Sequence, residues 1–533
     1  MRRTRRPSAP TRLGTYTPSR NGLNTFAVTY TLPEGRVQAV RANFRFVDSS
    51  NTNSAPFICS SGNYDDHAAR TGFPLLVSTE AFRAKFSQYC PGGRFFMFLT
   101  QLDPRAEIKG SRDPLGLQAI WSHFGREVVG NLTTVTQSLR DFRTLLFGFH
   151  FVEQAIAMGK RREEERCAMF LQFEQLAAYS LYASGVIEDG GAPMRGINRV
   201  RARLDASDRV HISAEREHQI LGNQKIYGLW GLYSSAARES GWTEPAEQRL
   251  NDTTAQLAER IWWHVLKSQA RRMAEEVLHF LGRNAPFEPR GRHAPLARAL
   301  SRVLTQPLEG EFQRFFEDTL VCNRFGPSSE RGLQEQLWSL IEQANGRSSR
   351  AWIRGFDFTE LRKLLELSTQ DSALHMSLHH IERVELVLAA VGSLFQYLLA
   401  KNGQRTDNVA KDVRQRWGSR LAHLLPSNLR EIEGFLAEAV GQESAGRVVA
   451  MQATLASGEY KEFFVVAAEH NAQVMKDRGG APWLSVEGNR LRVRIKSEVS
   501  WLPEPDELPE LWVNSYFLNS LKRVGAQVTG RAA

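Results

Sequence analysis

Residues 128–158 read VVGNLTTVTQSLRDFRTLLFGFHFVEQAIAM, and this stretch decides the class of fold. Its apolar residues recur at steps of three and four, which is the spacing of one face of an α-helix. The residues of that face are Leu132, Val135, Leu139, Phe142 and Leu146. A second apolar run, CAMFLQFEQLAAYSLYA at 167–183, predicts another long helix soon after the first.

Helical spacing continues on both sides of residues 284–295 and 326–332, two breaks that are rich in Pro, Gly and Arg. We therefore predict one helical domain over 111–325 and a second over 333–480. The expected fold class is mainly α, a multidomain helical bundle with a small β-containing N-terminal domain and a short C-terminal α/β segment.

The first 110 residues differ in character from the helical part. Residues 1–20 contain arginines but no acidic residue, with Pro, Ser and Thr between them. This composition predicts a basic arm that is disordered on its own. Residues 25–48 alternate apolar and polar side chains on either side of a Pro-Glu-Gly turn, which predicts a β-hairpin. We expect a β-rich or α+β domain over 21–110.

Near the C-terminus the alternation returns. PWLSVEGNRLRVRI at 482–495 predicts a hairpin that turns at 487–489, and WVNSYFLNSLKRVG predicts a final helix, so 481–533 forms a hairpin plus helix. LVLAAVGSLFQYLLA at 386–400 is shorter than the roughly 20 residues that a membrane-spanning helix needs. We predict that it is a buried core helix and expect no membrane association.

The stretch NQKIYGLWGLYSSAARESGW at 223–242 is predicted to be a single helix that ends at a Gly241 cap. Gly228 and Gly231 weaken a helix, so their presence indicates that another backbone approaches closely. Ile226, Leu229, Trp230, Tyr233 and Ala237 form an aromatic and apolar stripe. Core packing is the preferred interpretation of this stripe, and the helix is also a possible start of a helix-turn-helix unit within 111–325.

This stretch, together with FEQLAAYSLYASG at 173–185 and RGINRVRARL at 195–204, resembles uncharacterised bacterial proteins that are encoded within multi-gene anti-phage defence clusters. The resemblance covers residues 165–245. It implies a prokaryotic, cytosolic defence setting and carries no catalytic residue.

The charge balance favours a polyanionic partner. The 533 residues carry a net charge of +10, and the pI is about 9.5, which points to nucleic acid first and to a membrane surface second. The four cysteines lie far apart with no C-x-x-C spacing, so neither a zinc module nor a disulfide framework is indicated. A reducing cytoplasm is the expected location.

Several arginine clusters are candidates for contacts to phosphate, because the planar guanidinium binds phosphate oxygens in pairs. An acidic partner protein or plain solvent would satisfy the same side chains. The candidate nucleic-acid-binding residues are Arg2, Arg3, Arg5, Arg6, Arg41, Arg45, Arg195, Arg199, Arg201, Arg203, Lys225, Arg238, Arg271, Arg272, Arg290 and Arg292.

A candidate metal set comes from HMSLHHIERVE at 375–385. His375, His379 and Glu382 share one helical flank, and two histidines four residues apart can both reach one metal ion. Histidines at the boundary of an amphipathic helix explain the pattern equally simply, and we prefer that interpretation. The sequence contains no Walker A motif and no G-x-S-x-G elbow, so it predicts neither a P-loop ATPase nor an α/β-hydrolase.

The sequence therefore predicts a non-catalytic nucleic-acid-binding or scaffold subunit of a prokaryotic anti-phage defence complex. Its expected partners are nucleic acid, with DNA as the first expectation, and other proteins of the complex. We expect no catalytic residue and no cofactor. The alternatives are a metal-dependent nuclease and a pure protein-interaction module, the latter with the helix of residues 224–240 as its docking face.

Overall fold

The computed structural model divides the chain into two compact units, Met1–Leu102 and Asp103–Ala533, and each is described by itself. In the first unit the description covers only the backbone of three strands. The described residues are 16–17, 23–31, 37–45, 113–159, 161–186, 194–244, 248–328, 332–370, 372–418, 421, 425 and 429–531.

The first unit contains a three-stranded antiparallel sheet, in the order β1 (Tyr16–Thr17), β2 (Leu23–Thr31) and β3 (Val37–Arg45). The pairing of β2 with β3 runs from Leu23 opposite Arg45 to Thr31 opposite Val37, in agreement with the predicted hairpin. The other residues of the predicted arm and N-terminal domain lie outside the described residues.

The second unit is built from helices, and about 66% of the described structure is helical, which confirms a mainly α protein. Its N-terminal helices are α1 (Leu117–Val128), α2 (Leu139–Ala157), α3 (Arg166–Ala183), α4 (Ile197–Ala206), α5 (Gln224–Tyr227), α6 (Leu229–Glu239), α7 (Asp252–Leu266), α8 (Ala270–Phe280), α9 (Ala294–Thr305) and α10 (Glu311–Phe316). A π-helical segment, Glu317–Val321, continues α10.

The later helices are α11 (Leu333–Asn345), α12 (Ser349–Ile353), α13 (Phe358–Leu367), α14 (Ala373–Leu399), α15 (Thr406–Trp417), α16 (Leu429–Val440), α17 (Gln442–Ser457), α18 (Tyr460–Asp477) and α19 (Leu518–Val528). Two small antiparallel sheets complete the unit. They consist of β4 (Val210–Ile212) with β5 (Ala285–Phe287) and of β6 (Leu484–Glu487) with β7 (Arg490–Val493).

Helices α2 and α3 lie at the centre of the N-terminal half, as their apolar runs predict. All residues of α3 from Met169 to Leu181 are buried, so this helix is enclosed on every side. The predicted start of α2 near Leu132 is wrong, because the helix begins at Leu139. Ser138 caps it, its Oγ accepting a hydrogen bond from the backbone N–H of Asp141 at 3.2 Å.

The long helix α14 confirms the predicted core helix at 386–400. Its buried Glu385 accepts hydrogen bonds from the backbone N–H groups of Val513 and Asn514, from the Asn514 side chain and from Tyr516 Oη. Burial raises the pKa of this carboxyl to about 7. Among the described residues, no helix combines the length and the hydropathy that crossing a bilayer requires.

The same contacts explain why the last helix begins later than predicted. Residues 513–516 are held in a non-helical path by Glu385, and Tyr516 and Phe517 adopt positive φ angles of 44° and 61°. Helix α19 therefore starts at Leu518 rather than near Trp512.

The predicted single helix over 223–242 is wrong, because the backbone breaks at Gly228 between α5 and α6. A Cβ atom at Gly228 would lie 2.4 Å from the Gln224 carbonyl oxygen and 2.7 Å from Glu174 Oε2, so only glycine fits here. Gly231 would similarly collide with the backbone of Ile226, at 2.2 Å. The close approach that the glycines predicted is therefore made by α3 and by the neighbouring turn.

The C-terminal end of α6 matches the predicted glycine cap. Gly241 has a φ of 74°, and the N–H of Trp242 donates to the Ala237 carbonyl at 3.0 Å, as in a Schellman motif. A helix-turn-helix unit has a turn of about three or four residues. Helices α6 and α7 are instead separated by twelve residues, from 240 to 251, so this pair does not have that geometry.

One hydrophobic cluster extends through the second unit, from Leu115 to Val528. The three segments predicted as 111–325, 333–480 and 481–533 share this core. The finer boundaries between them stay predictions.

Candidate nucleic-acid interface

Strands β4 and β5 bring two arginine clusters together that are far apart in sequence. Val210 pairs with Phe287 and Ile212 pairs with Ala285. Because β4 follows α4 and β5 precedes α9, the sheet brings arginines of both segments into one region, which we call the arginine face. Its members are Arg199, Arg201, Arg203, Arg209, Arg290 and Arg292. Arg199 and Arg203 lie on one side of α4, and Arg201 lies on its other side.

Arg203 uses its donors inside the protein. Its Nη1 group donates to the His218 carbonyl at 2.5 Å and to Tyr179 Oη at 3.0 Å. Its Nη2 group donates to the carbonyl oxygens of Glu217 and Gln219 at 2.6 and 3.1 Å. Arg203 therefore holds the loop after β4 against α3 and α4, and few of its five N–H donors are left for a phosphate.

Arg290 also has partners within the protein. Its Nη1 group donates to the Leu204 carbonyl at 3.4 Å and lies 3.9 Å from Asp208 Oδ1. Its guanidinium carbon lies 5.7 Å from the centre of the Tyr182 ring. The neighbouring Arg292 is exposed. Arg290 thus joins the β5 end of the arginine face to α4.

The remaining members have weaker partners. Arg199 Nη1 donates to the Gln219 carbonyl at 3.3 Å, and Arg209 lies 4.0 Å from Glu288. Arg201 is exposed, and within the described part of the chain no ion pair involves it. The arginine face therefore mixes structural arginines with solvent-facing ones.

Two other candidates lie on α8 and have acidic neighbours one helical turn away. Arg271 Nε donates to Glu275 at 3.3 Å, and Arg272 Nε donates to Glu276 at 2.9 Å. Such exposed i,i+4 pairs contribute only about 0.3–0.5 kcal/mol each. The local carboxylates nevertheless reduce the positive potential that a phosphate would meet.

Three candidates lie near α5 and α6. Arg238 is paired with Glu239 at 3.2 Å, while Lys225 is exposed on α5. Arg195 is half-buried and acts on the buried Glu174, whose pKa its positive charge lowers.

Glu174 is the buried carboxylate behind the glycine break. Its Oε1 accepts from the backbone N–H of Leu229 and its Oε2 accepts from Gln224 Nε2, both at 2.8 Å. Burial raises its pKa to about 7, and these two hydrogen bonds and Arg195 lower it only in part. We assign it a structural role, because it stands at the N-terminal end of α6, where backbone N–H groups have no partner in the helix.

The aromatic stripe of the glycine-rich segment is mostly core, as preferred from the sequence. Leu229, Tyr233 and Ala237 are buried. Ile226 and Tyr227 on α5 are instead 54% and 60% exposed. The prediction missed this because the break at Gly228 turns α5 away from the stripe of α6.

The metal candidates on α14 have other partners. His375 Nδ1 lies 2.8 Å from Ser368 Oγ, and Glu382 lies 3.5 Å from Arg362 Nε. His379 is half-buried. Among the described residues, the side chains that approach each other closely enough to share a metal ion are a different set.

That set consists of Glu215, Glu217 and His218, whose possible ligand atoms lie within 4.8 Å of one another on the loop after β4. Both carboxylates are exposed, and His218 Nε2 lies 3.2 Å from Glu217 Oε1. An exposed ion pair accounts for this arrangement.

The basic residues of the first unit are the remaining candidates. Arg41 and Arg45 belong to β3, and Arg2, Arg3, Arg5 and Arg6 lie outside the described residues. Residues 1–102 contain 13 Lys and Arg against five Asp and Glu, a net charge of +8 of the total +10. The second unit, with 431 residues, carries only the remaining +2.

Sequence reasoning missed one basic surface, formed by Arg490, Arg492, Arg494 and Lys496. All four side chains are exposed, while Leu491 and Val493 between them are buried. We call these four residues the basic stripe. The strict alternation RLRVRIK was the available signal, and it served only to predict the hairpin.

The chain matches no known protein-family model, and no curated protein or solved structure shows significant similarity to it.

Proposed function

We propose that this protein is a non-catalytic nucleic-acid-binding or scaffold subunit of a prokaryotic anti-phage defence complex. The segregation of charge carries the proposal: residues 1–102 have a net charge of +8, and the helical unit is close to neutral. A short segment with so high an excess of arginine suits a phosphate backbone, which attracts cations regardless of base sequence.

The contacts of the helical unit are in keeping with a supporting role. Its buried carboxylates Glu174 and Glu385 accept two and four hydrogen bonds from the protein itself, and the candidate metal ligands His375 and Glu382 have separate partners. These observations favour a scaffold over the metal-dependent nuclease. The resemblance of residues 165–245 to proteins of defence clusters suggests the biological setting.

In the proposed mechanism, arginines of the first unit neutralise phosphates and release condensed counterions. Binding then weakens steeply as salt rises, with a slope of about −0.9 per phosphate contact on duplex DNA. Exposed members of the arginine face, such as Arg201 and Arg292, add contacts without reading bases. Partner proteins supply any nucleotide hydrolysis or cleavage.

The test is fluorescence anisotropy on a labelled duplex of random sequence, titrated over a range of salt concentrations. The variant is the full chain with Arg2, Arg3, Arg5 and Arg6 replaced by Gln. A matched control loses the same charge from exposed arginines of the helical unit, Arg260, Arg347, Arg350 and Arg354.

We expect the wild type to bind the duplex in the micromolar range or more tightly at low salt. The arm variant should lose about 3 to 4 units of salt slope, while the control keeps the wild-type slope. Absence of wild-type binding at low salt would overturn the proposal. It would favour the protein-interaction module, with the exposed Ile226 and Tyr227 as the first surface to mutate.

A further inference from the structure

The basic stripe has the geometry of a ladder of cations. Arg490 and Arg492 belong to β7, and the N–H of Arg494 donates to the Trp483 carbonyl at 2.8 Å, which extends the pairing of the hairpin. Alternate residues of a strand point to the same face and repeat at about 6.6–6.8 Å. That repeat is close to the separation of neighbouring phosphates along an extended nucleic-acid strand.

The stripe is held on both of its edges. On one side β7 pairs with β6. On the other side, the N–H of Leu491 donates to the Gln404 carbonyl at 3.0 Å, and the N–H of Gly403 donates to the Leu491 carbonyl at 2.8 Å. Because Leu491 and Val493 also anchor the strand in the core, Arg490, Arg492 and Arg494 are presented by a paired backbone, and Lys496 follows the end of the pairing.

A cleft adjoins the turn of the hairpin. It has a volume of about 540 Å³ and lies between α15 and the start of α18, with Lys411, Arg414 and Lys461 among its lining residues. Asp407 links the cleft to the hairpin, because its carboxylate accepts from Asn489 Nδ2 at 2.5 Å. The cleft is also lined by the carboxylates of Asp407 and Glu459, and Lys461 is paired with Asp407, so Lys411 and Arg414 are the cations that a strand following the stripe towards the turn would meet.

An exposed aromatic side chain follows the stripe in sequence. Trp501 is 61% exposed, five residues after Lys496, and the next residues are fixed because Trp417 Nε1 donates to the Pro503 carbonyl at 3.0 Å. Cations along a track combined with an exposed aromatic ring are what proteins use to hold single-stranded nucleic acid, since every base has a face that can stack.

We propose that the basic stripe binds the backbone of single-stranded nucleic acid, with Trp501 stacking on one base. The inference rests on the proposed function and adds to it a second binding surface, in the helical unit, with a preference for single strands. Arg494 and Lys496 are exposed, and within the described part of the chain neither lies in an ion pair. The Arg494 guanidinium and the Lys496 ammonium group are therefore accessible to a phosphate.

The experiment uses the full chain and a fluorescein-labelled oligothymidylate, with a hairpin duplex as the second probe. The stripe variant carries Arg492→Ala, Arg494→Ala and Lys496→Ala. The matched control carries Arg260→Ala, Arg347→Ala and Arg350→Ala, which remove the same charge from exposed positions elsewhere. A third variant is Trp501→Ala. Circular dichroism and urea midpoints verify that all of them fold.

We expect the stripe variant to bind oligothymidylate at least about tenfold more weakly than the control, and to lose about 2 units of salt slope. Trp501→Ala should weaken single-strand binding about five- to tenfold and leave duplex binding unchanged.

Equal single-strand binding by the stripe variant and the control would overturn the inference, and the proposed function would stand if the arm variant still weakened duplex binding. Loss of binding to phosphatidylserine vesicles by the stripe variant, with single-strand binding intact, would assign the stripe to a membrane surface and also overturn it. A wild type that binds neither probe would remove both proposals.

Discussion

The arginine face and the basic stripe both bring several cations into one region, but they use them differently. On the arginine face, Arg203 and Arg290 direct their donors to carbonyl oxygens of the protein. On the stripe, Arg490 likewise donates to the Gly403 carbonyl at 2.7 Å, but Arg492, Arg494 and Lys496 are turned outward, and the apolar residues between them carry the packing. A cluster of arginines in a sequence therefore does not by itself indicate a binding site, because the destination of each guanidinium decides its role.

The largest expected effect concerns Glu174, the buried carboxylate behind the break at Gly228. The folded-state pKa of Glu174 is raised to about 7, whereas an unfolded glutamate titrates near 4.3. Between these values the folded protein holds a proton that the unfolded chain releases, so stability is present below the unfolded pKa and is lost as pH rises through about 7.

We therefore expect Glu174→Gln to remove a pH dependence of up to about 3 kcal/mol in the free energy of unfolding between pH 4.5 and 7.5. Urea unfolding of the wild type and the variant across this range measures the difference between their free energies of unfolding at each pH. The other titrating groups contribute equally to both proteins and cancel in this difference. A constant difference at all pH values would show that the carboxyl titrates normally.

The second expected effect tests the arginine face directly. Arg203→Ala removes four hydrogen bonds from a charged donor to the loop carbonyls and Tyr179, and we expect the free energy of unfolding to fall by about 2–3 kcal/mol. Arg201→Ala, two residues away and exposed, is the matched control and should change it by less than about 0.5 kcal/mol.

Equal urea midpoints for the Arg203 and Arg201 variants would remove the distinction between the two surfaces. The Arg203→Ala variant can also be compared with the wild type in duplex binding, at equal concentrations of folded protein. A large loss of stability with unchanged duplex binding would show that Arg203 stabilises the loop and does not contact the duplex.

The difference between these arginines could not be predicted from the sequence. The helices α2 and α3 and the hairpin β6–β7 follow from local periodicity, and the buried α14 follows from its length and hydropathy. The sheet of β4 and β5 does not, because its strands have three residues each and pair across a long separation. Since Arg203 faces a loop that this sheet positions, its partners are invisible in the spacing RGINRVRARL.

The break at Gly228 has the same origin. The sequence indicated that some group approaches the glycines, but only the packing of α3 identifies Glu174 as that group. Sequence alone therefore predicts helices better than it predicts candidate sites, because a helix is specified by residues that are neighbours in sequence, whereas a site is formed by residues that are neighbours in space.

A third prediction concerns the stability of the stripe. Arg492 is 55% exposed at its side chain, and among the described residues its one ion pair is with the exposed Glu487. We expect the triple stripe variant to change the free energy of unfolding by less than about 0.5 kcal/mol per residue, because surface ion pairs contribute little. Thermal or urea unfolding checks this, and a larger loss would show that the stripe, like Arg203, holds the fold.

The smallest expected effect is a gain in affinity rather than a loss, and it tests most directly how the two surfaces differ. Arg492 Nε donates to Glu487 Oε2 at 3.0 Å, so this carboxylate competes with an incoming phosphate for the guanidinium. Glu487→Gln keeps the size of the side chain and removes its charge. We expect tighter binding of oligothymidylate by about two- to fivefold, which corresponds to about 0.4–1 kcal/mol, with an unchanged urea midpoint.

A matched substitution on α8, Glu275→Gln, frees Arg271 in the same way but lies away from the stripe. If the stripe is the binding surface, only Glu487→Gln improves single-strand binding. If both substitutions improve it equally, affinity follows net charge rather than position, and the outward-facing arrangement of β7 has no special role. The pair of variants therefore separates the effect of geometry from that of charge, which is the distinction that the two surfaces pose.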